Sequence, residues 1–313
     1  MDQEQLETKL TAASPAAEAL GNAMNADILF FSGDIRTESS LAFIKKCRAL
    51  TKKRANVLLV AVSYGGSPTA AYRMARHLQR NYTEISIFIP GTCSSAGTLL
   101  ATGAHKIYMG ELGELGPLDI QISKKDEIWA SASGLNVDAA ISALEEIAEK
   151  MFFRYVYEIK SRSFSVTYKT AAEISVDLVG KLLAPVYDQI APSEIGENSR
   201  AMDITKNYAK RLDDKTKNFK TKESMEFLVE SYPSHDFIID QQEAREIYTN
   251  VLDPTEHMLA LENALGDLAI LPLDWQDGGA FEVRFLSCLK PDPANEPSVH
   301  LSIVDKDSTG ART

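Results

Sequence analysis

The chain has 313 residues, of which 44% are hydrophobic and 25% charged, and this is the balance of an ordinary globular protein. Its formal net charge of −11 disfavours nonspecific binding to nucleic acid. The longest strongly apolar run, residues 57–62, is too short to cross a bilayer. We therefore expect neither a nucleic-acid nor a membrane partner.

The cysteines and the N-terminus indicate the compartment. The three cysteines, Cys47, Cys93 and Cys288, are few, odd in number and irregularly spaced, so a disulfide framework is not expected. The first residues are acidic and polar, without the basic and apolar regions of a signal peptide. We expect a cytoplasmic protein. The sequence has no H-E-x-x-H, no C-x-x-C and no phosphate-loop pattern, so we expect neither a metal nor a cofactor.

The first half of the chain predicts alternating strands and helices. Residues 1–24 are rich in Ala and Glu and predict a loosely held helical arm. Short apolar runs then alternate with helical patterns, and this rhythm predicts a largely parallel sheet covered on both faces. The predicted strands are 28–31, 56–62, 85–89 and 106–109, and the predicted helices are 39–50, one that begins at Pro68, and 95–103.

The second half of the chain is predicted to be mostly helical. Helical stretches are predicted at 136–159, 171–183, 202–212, 241–248 and 255–265. Two strand-like segments, 281–288 and 299–304, are expected to pair as a small terminal hairpin or edge ribbon. The whole predicts an α/β protein with an arm (1–24), a main domain (25–252) and an extension of one helix and two strands (253–313).

Two backbone features could carry chemistry, and one βα unit separates them. Paired glycines, Gly65 and Gly66, follow a strand and precede a helix, where they let the backbone approach a ligand closely. Ser95 follows the next strand and begins the next helix. Together they predict a Ser95 nucleophile whose oxyanion is bound by the N–H groups of Gly66 and Ala96.

Each feature has a structural alternative. A Gly-Gly pair is usually a turn, and a serine at a helix start is usually an N-cap. Cys93, two residues before Ser95, is a rival nucleophile, although it is expected at a strand end facing inward. The basic stretch at residues 206–222 is interpreted as a solvated helix face or loop.

Four segments together resemble the superfamily of Clp proteases and crotonases, and most closely its serine dehydrogenase proteinase group. Residues 65–70 read GGSPTA, residues 94–101 read SSAGTLLA and residues 114–121 read ELGPLDIQ. Residues 232–236 read YPSHD and precede Ile239, Asp240, Glu243 and Ala244. The resemblance covers roughly residues 27–251 and implies a Clp-like or crotonase-like fold.

The resemblance also implies an activity and a set of site residues. It implies a serine peptidase that is independent of ATP in this chain and cleaves peptides or unfolded protein through an acyl-enzyme on Ser95. Members of the group carry a Ser, Asp, His order along the chain, which implies Asp119 as the carboxylate and His235 as the base. Asp236 is an alternative carboxylate, and Lys124 or Lys125 would serve in a Ser–Lys dyad.

The sequence departs from the family pattern in two places, and two alternative functions remain to be considered. The chain lacks the N-terminal apolar segment of membrane-tethered relatives, and residues 248–251 read YTNV where a Gly-Leu pair is expected. One alternative is a crotonase-like enzyme that uses the same oxyanion hole on an acyl thioester. Another is a catalytically degenerate protein that binds a partner.

The sequence also predicts a homo-oligomer. Clp-fold relatives assemble through helices that flank the core. The predicted helix 136–159 ends in an aromatic cluster that goes round the helix instead of following one stripe: Phe152, Phe153, Tyr155 and Tyr157. One subunit's core need not cover all of that cluster.

Overall fold

The computed structural model describes residues 3–118, 121–123, 131–162, 165–188, 192–232, 234, 236–273 and 281–289. In these ranges the chain forms a mixed α/β fold with a mostly parallel sheet between two helical layers. The strands are β1 (Ala26–Gly33), β2 (Asn56–Val62), β3 (Glu84–Ile89), β4 (Thr92–Cys93), β5 (Lys106–Met109), β6 (Glu114–Leu115), β7 (Gln121–Ser123), β8 (Ser131–Ser133), β9 (Val251–Leu252) and β10 (Phe281–Ser287).

Helices connect these strands and dominate the second half, as the sequence predicts. They are α1 (Gln3–Met24), α2 (Thr37–Ala49), α3 (Pro68–Asn81), α4 (Ala96–Thr102), α5 (Gly134–Arg162), α6 (Tyr168–Tyr187), α7 (Pro192–Thr216), α8 (Glu223–Glu230), α9 (Gln241–Ile247), α10 (Glu256–Leu265) and α11 (Asp267–Ile270). The predicted start of α3 is confirmed, because the Ser67 side chain accepts a hydrogen bond from Ala70 N and Pro68 is the first helical residue.

The main sheet has the strand order β10-β1-β2-β3-β5-β9. All neighbouring pairs are parallel except β1 and β10. Successive side chains of a strand point to opposite faces, and both faces are buried here. Leu29 and Phe31 of β1 enter the core under the larger helical layer, whereas Ile28 and Phe30 enter the core on the other side. This arrangement explains why the central strands read as continuous apolar runs.

The N-terminal residues form a packed helix and not a loosely held arm. One face of α1 is buried in the second core, beneath α10, through Leu6, Leu10 and Leu20. Arg284 of β10 binds both carboxylate oxygens of Glu7. This interaction holds the pKa of Glu7 below its ordinary value and ties α1 to the sheet edge.

The position of β10 adds a strand pairing that the sequence does not predict. Residues 281–287 pair antiparallel with β1 and extend the main sheet. The other predicted strand, residues 299–304, lies outside the described residues. An apolar pattern identifies a strand but not its partner, and the main sheet offered β1 as a long free edge. The proposed division into domains stays a prediction.

A second, smaller set of strand pairings lies at the carboxyl ends of the parallel strands. β4 pairs with β6, and single parallel bridges join Ser63 to Cys93 and Ile35 to Gly66. These pairings fix the loops that follow β1, β2 and β3 relative to one another. Within the described ranges, no helix is both long enough and apolar enough to span a membrane.

One glycine in this region has no room for a side chain. A Cβ at Gly91 would lie 2.3 Å from the backbone oxygen of Ile270 and 2.5 Å from its Cα. We expect Gly91→Ala to lower the free energy of unfolding by about 1–3 kcal/mol, because backbone atoms must shift to admit the methyl group. Urea denaturation measures this change.

Gly180→Ala is the matched control for this prediction. Gly180 lies in α6, and a Cβ there would meet no atom within 4 Å. That substitution should be neutral or stabilise the protein by up to about 1 kcal/mol, since alanine favours a helix over glycine. Equal effects of the two substitutions would show that the close packing of Gly91 on α11 is wrong.

Candidate active site

Two loops meet at the carboxyl ends of β2 and β3, and the buried residue Ser63 joins them. The Ser63 hydroxyl donates to Gly33 O at 2.7 Å and accepts from Gly65 N at 3.0 Å. The Ser63 backbone N–H donates to Thr92 O at 2.8 Å, and its carbonyl accepts from Ser94 N at 2.9 Å. One fully buried serine therefore fixes both the glycine loop and the segment that leads to Ser95.

Ser95 has a backbone conformation that serine rarely adopts. It lies between β4 and α4 with φ 51° and ψ −112°, in the region that favours glycine. Such a conformation costs on the order of 1–3 kcal/mol and persists only where the surroundings impose it. Although Ser95 is the N-cap residue of α4, its side chain makes no capping hydrogen bond. The structural alternative, a serine present as an N-cap, therefore does not explain Ser95.

The glycine loop packs directly against Ser95. Gly65 has φ 106°, and a Cβ there would lie 2.7 Å from Ser95 Cβ and 3.0 Å from Ala96 N. Gly66 has φ 131°, and a Cβ there would lie 2.4 Å from Ile35 O. Both positions therefore require glycine. The structure brings the predicted oxyanion loop into contact with the predicted nucleophile.

The N–H groups of Gly66 and Ala96 are left free by the pairing around them. The bridge between Ile35 and Gly66 uses Gly65 O and Ser67 N, so the Gly66 N–H takes no part in it. Ala96 is the first residue of α4, where backbone N–H groups lack an intrahelical acceptor. Among the described residues, neither N–H donates to a backbone or side-chain acceptor.

The segment after β6 also lies close to the serine. A Cβ at Gly116 would lie 3.0 Å from Ser94 Cβ and 3.3 Å from Ser95 N. The buried Thr98 hydroxyl donates to Gly116 O at 2.7 Å and accepts from Gly116 N at 3.1 Å. Sequence reasoning missed the positioning roles of Ser63 and Thr98. The available signal was a polar residue in an apolar setting: Ser63 directly follows the apolar strand β2, and Thr98 lies within the apolar helix α4.

The segment that carries the predicted histidine is bridged to the same region. Leu115 and Ile239 form an antiparallel bridge with two hydrogen bonds of 2.9 Å. Of the predicted site residues, Asp119, Lys124, Lys125 and His235 lie outside the described residues.

The alternative carboxylate, Asp236, is described and is exposed. Its backbone N–H donates to Ser234 Oγ at 3.3 Å. A triad carboxylate is buried and hydrogen-bonded to the imidazole, so exposed Asp236 suits that role poorly.

The thiol of Cys93 is unsuited to nucleophilic attack. Cys93 is fully buried, as the sequence predicts, and its Sγ fills the space beside Gly97. Burial raises the pKa of the Cys93 thiol to about 12. The reactive form of cysteine is the thiolate, which is therefore scarce at neutral pH.

Three of the other histidines are described, and none of them adjoins Ser95 in the contacts of the site. His105 Nδ1 accepts a hydrogen bond from Ile85 N at 3.1 Å, and burial lowers its pKa. His105 thus accepts a hydrogen bond at Nδ1, and its burial disfavours the cationic form of the imidazole. His77 is half-buried on α3 and not exposed, and burial lowers its pKa too. His257 is exposed on α10, and His300 lies outside the described residues.

Tyr248, at the departure from the family pattern, has a packing role. It is fully buried, stacks on Phe219 with ring centroids 5.1 Å apart, and its hydroxyl lies 2.8 Å from Thr102 Oγ1 at the end of α4. Asn250 Nδ2 donates to His105 O at 3.1 Å. Tyr248 therefore packs against the end of α4, and Asn250 binds the backbone of His105, three residues beyond that helix.

Comparison with known proteins finds partial similarities. No protein-family model matches the chain. An uncharacterized protein of Methanocaldococcus jannaschii, MJ0137, is 33% identical over 90 residues, which are 29% of this chain and 31% of that protein. The chain thus matches less than a third of the length of this curated relative.

Two solved structures of the 1510-N membrane-bound stomatin-specific protease also resemble part of the chain. One mutant is 16% identical with a TM-score of 0.28, covering 45% of this chain and 64% of that chain. Another mutant, in complex with a substrate peptide, is 19% identical with a TM-score of 0.29, covering 37% and 55%. Similarities of this size assign no activity to this chain.

The burial of Cys93 leads to a test of its reactivity. At pH 8 a thiol of pKa about 12 is about one part in ten thousand thiolate. Iodoacetamide should therefore leave Cys93 unmodified in the folded protein over hours, as mass spectrometry would show. Half-buried Cys288 is the internal comparison and should react faster. Alkylation of Cys93 in the folded protein as fast as in urea would contradict its buried position.

Proposed function

We propose that the chain is a serine peptidase that cleaves peptide bonds through an acyl-enzyme on Ser95. One observation carries the proposal: Ser95 is held at φ 51°, although its side chain makes no capping hydrogen bond to α4. It packs against a glycine loop that has no room for a side chain. Backbone strain of this kind clusters at active sites. A serine on a strained strand-to-helix turn is also the arrangement that exposes the nucleophile in other hydrolases.

The chemistry follows from this arrangement. Ser95 Oγ attacks the carbonyl carbon of the peptide and loses its proton to a base, and the carbonyl oxygen becomes an oxyanion. The free N–H groups of Gly66 and Ala96 are the proposed donors to that oxyanion. The amine leaves with the proton from the base, and an acyl ester remains on Ser95. Water, activated by the same base, then hydrolyses the ester.

His235 and Asp119 are the proposed base and carboxylate. Support comes from the bridge between Leu115 and Ile239. Asp119 comes four residues after Leu115, and His235 comes four residues before Ile239. The bridge brings the chain shortly before Asp119 next to the chain shortly after His235, and this proximity favours a partnership of the two. A dyad with Lys124 or Lys125 is the competing proposal for the base.

Assembly into a homo-oligomer is a further part of the proposal. Two members of the predicted aromatic cluster are strongly exposed on α5, Phe153 at 61% and Tyr157 at 74%, whereas Phe152 and Tyr155 are half-buried. The adjoining helix α6 exposes Tyr168 and Val176. An apolar surface of this kind is typical of protein association, and we expect a second copy of the chain to cover it.

A fluorophosphonate probe tests the nucleophile. We expect one adduct per chain on Ser95, because the activated hydroxyl displaces fluoride from phosphorus. Ser95→Ala should abolish both this adduct and the hydrolysis of a generic peptide or ester substrate. Its thermal melt should be almost unchanged, since the backbone contacts remain. Mass spectrometry of the labelled peptide locates the adduct.

Ser94→Ala is the matched control for the probe. Ser94 is the adjacent serine and is half-buried like Ser95, so labelling and hydrolysis should survive in this variant. Labelling of the Ser95→Ala variant at the wild-type level would reject the nucleophile. A folded wild-type protein that never labels would instead favour a crotonase-like enzyme or a partner-binding protein.

The base is tested by variants of the two proposed partners. His235→Ala should cost on the order of a thousandfold or more in kcat, comparable to the loss of Ser95. Asp119→Asn should cost less, because the imidazole remains but is poorly oriented. The rate should fall below about pH 6.5 as the free imidazole binds a proton. Steady-state kinetics across pH measure all three effects.

Two outcomes would change the assignment of the base or of the carboxylate. Near-normal rates for His235→Ala with an inactive Lys124→Ala or Lys125→Ala would show that the site is a Ser–Lys dyad. A larger loss in Asp236→Asn than in Asp119→Asn would place the carboxylate on the segment with the histidine. Neither result would affect the assignment of Ser95.

A further inference from the structure

A cationic cleft lies between α3 and α7. It has a volume of about 450 Å³ and is lined by Tyr72, Arg76, Arg211, Asp214 and Lys215. Three positive side chains and one negative side chain thus face a single cleft, on a protein whose formal charge is −11. If the basic residues of α7 formed only a solvated helix face, there would be no reason for them to share a cleft with Arg76 of α3.

One of these cations is fixed by a buried residue. Gln79 is only 1% exposed, and its Nε2 donates to Gly103 O at 3.1 Å and to Leu212 O at 3.0 Å. These bonds leave Gln79 Oε1 to accept from Arg76 Nη1 at 2.9 Å. Lys215 Nζ donates to the Gln79 backbone oxygen. The buried glutamine therefore holds Arg76 in place and joins the two helices.

The positive charge of the cleft is not neutralised by the described residues. The carboxylate of Asp214 forms an ion pair with Lys217, with Nζ and Oδ1 3.1 Å apart. Lys217 does not line the cleft. Within the described ranges, neither Arg76 nor Arg211 forms an ion pair, and the Nε of Arg76 is shielded from solvent without an acceptor. A shielded donor without a partner is costly, and an anion in the cleft would offset the charge of this guanidinium.

We propose that this cleft binds a small phosphate-bearing ligand. Arginine guanidinium groups match the oxygens of phosphate through paired hydrogen bonds. Tyr72 adds a hydroxyl-bearing wall, since its ring stacks on Tyr208 with centroids 4.2 Å apart at 11°. The volume admits a compound larger than a single phosphate group, and the acidic remainder of the protein repels a long polyanion. The proposal is independent of the role of Ser95.

Calorimetric titration with inorganic pyrophosphate, at an ionic strength held constant with NaCl, tests the cleft. Wild-type protein should show saturable binding to one site per chain. Arg211→Gln should weaken binding about tenfold, because hydrogen bonds to charged groups are the stronger kind. Arg211 is exposed, so this variant should fold normally. Asp214→Asn should tighten binding, because it removes the negative side chain of the lining.

Lys210→Gln is the matched control, since Lys210 is exposed on α7 next to Arg211 but does not line the cleft. It removes the same charge and should change the affinity by less than about twofold. Equal losses in Lys210→Gln and Arg211→Gln would show diffuse attraction to a basic helix and overturn the site. Absence of saturable binding to the wild-type protein would overturn it too, as would an affinity unchanged by Arg211→Gln.

Discussion

The candidate active site depends on the close approach of the Gly65 backbone to Ser95. Gly65 occupies the place where any side chain would collide with Ser95 Cβ and Ala96 N. This contact allows the loop after β2 and the turn after β4 to share one small space. In this arrangement Ser95 adopts an unfavourable backbone conformation with φ 51°, and the surrounding hydrogen bonds maintain that conformation.

Two buried hydroxyl groups in the segments around the serine supply much of that support. Ser63 joins the ends of β1 and β2 to the segment before Ser95, and Thr98 joins α4 to Gly116. Buried polar groups of this kind stabilise a structure only when their hydrogen bonds are complete, and here each hydroxyl both donates and accepts. The site therefore rests on rigid elements, with the main sheet behind it and Tyr248 supporting the far end of α4.

The sequence predicts the parallel βα framework well, because central strands buried on both faces leave continuous apolar runs. It also predicts the positions of Gly65, Gly66 and Ser95 relative to those strands. It does not reveal that β10 pairs with β1, since the pattern of a strand carries no information about its partner. The packing of α1 was missed because its buried leucines are spaced among alanines and charged residues. The left-handed conformation of Ser95 is imposed by distant contacts and leaves no local signal.

A crystal structure of the covalent fluorophosphonate adduct tests the central claim most directly. The account predicts phosphorus bonded to Ser95 Oγ, with one phosphonyl oxygen about 2.7–3.1 Å from both Gly66 N and Ala96 N. The loop geometry at Gly65 should stay as it is in the free protein. An adduct whose phosphonyl oxygen contacts neither N–H, or an adduct on another residue, would contradict the proposed oxyanion hole and with it the peptidase mechanism.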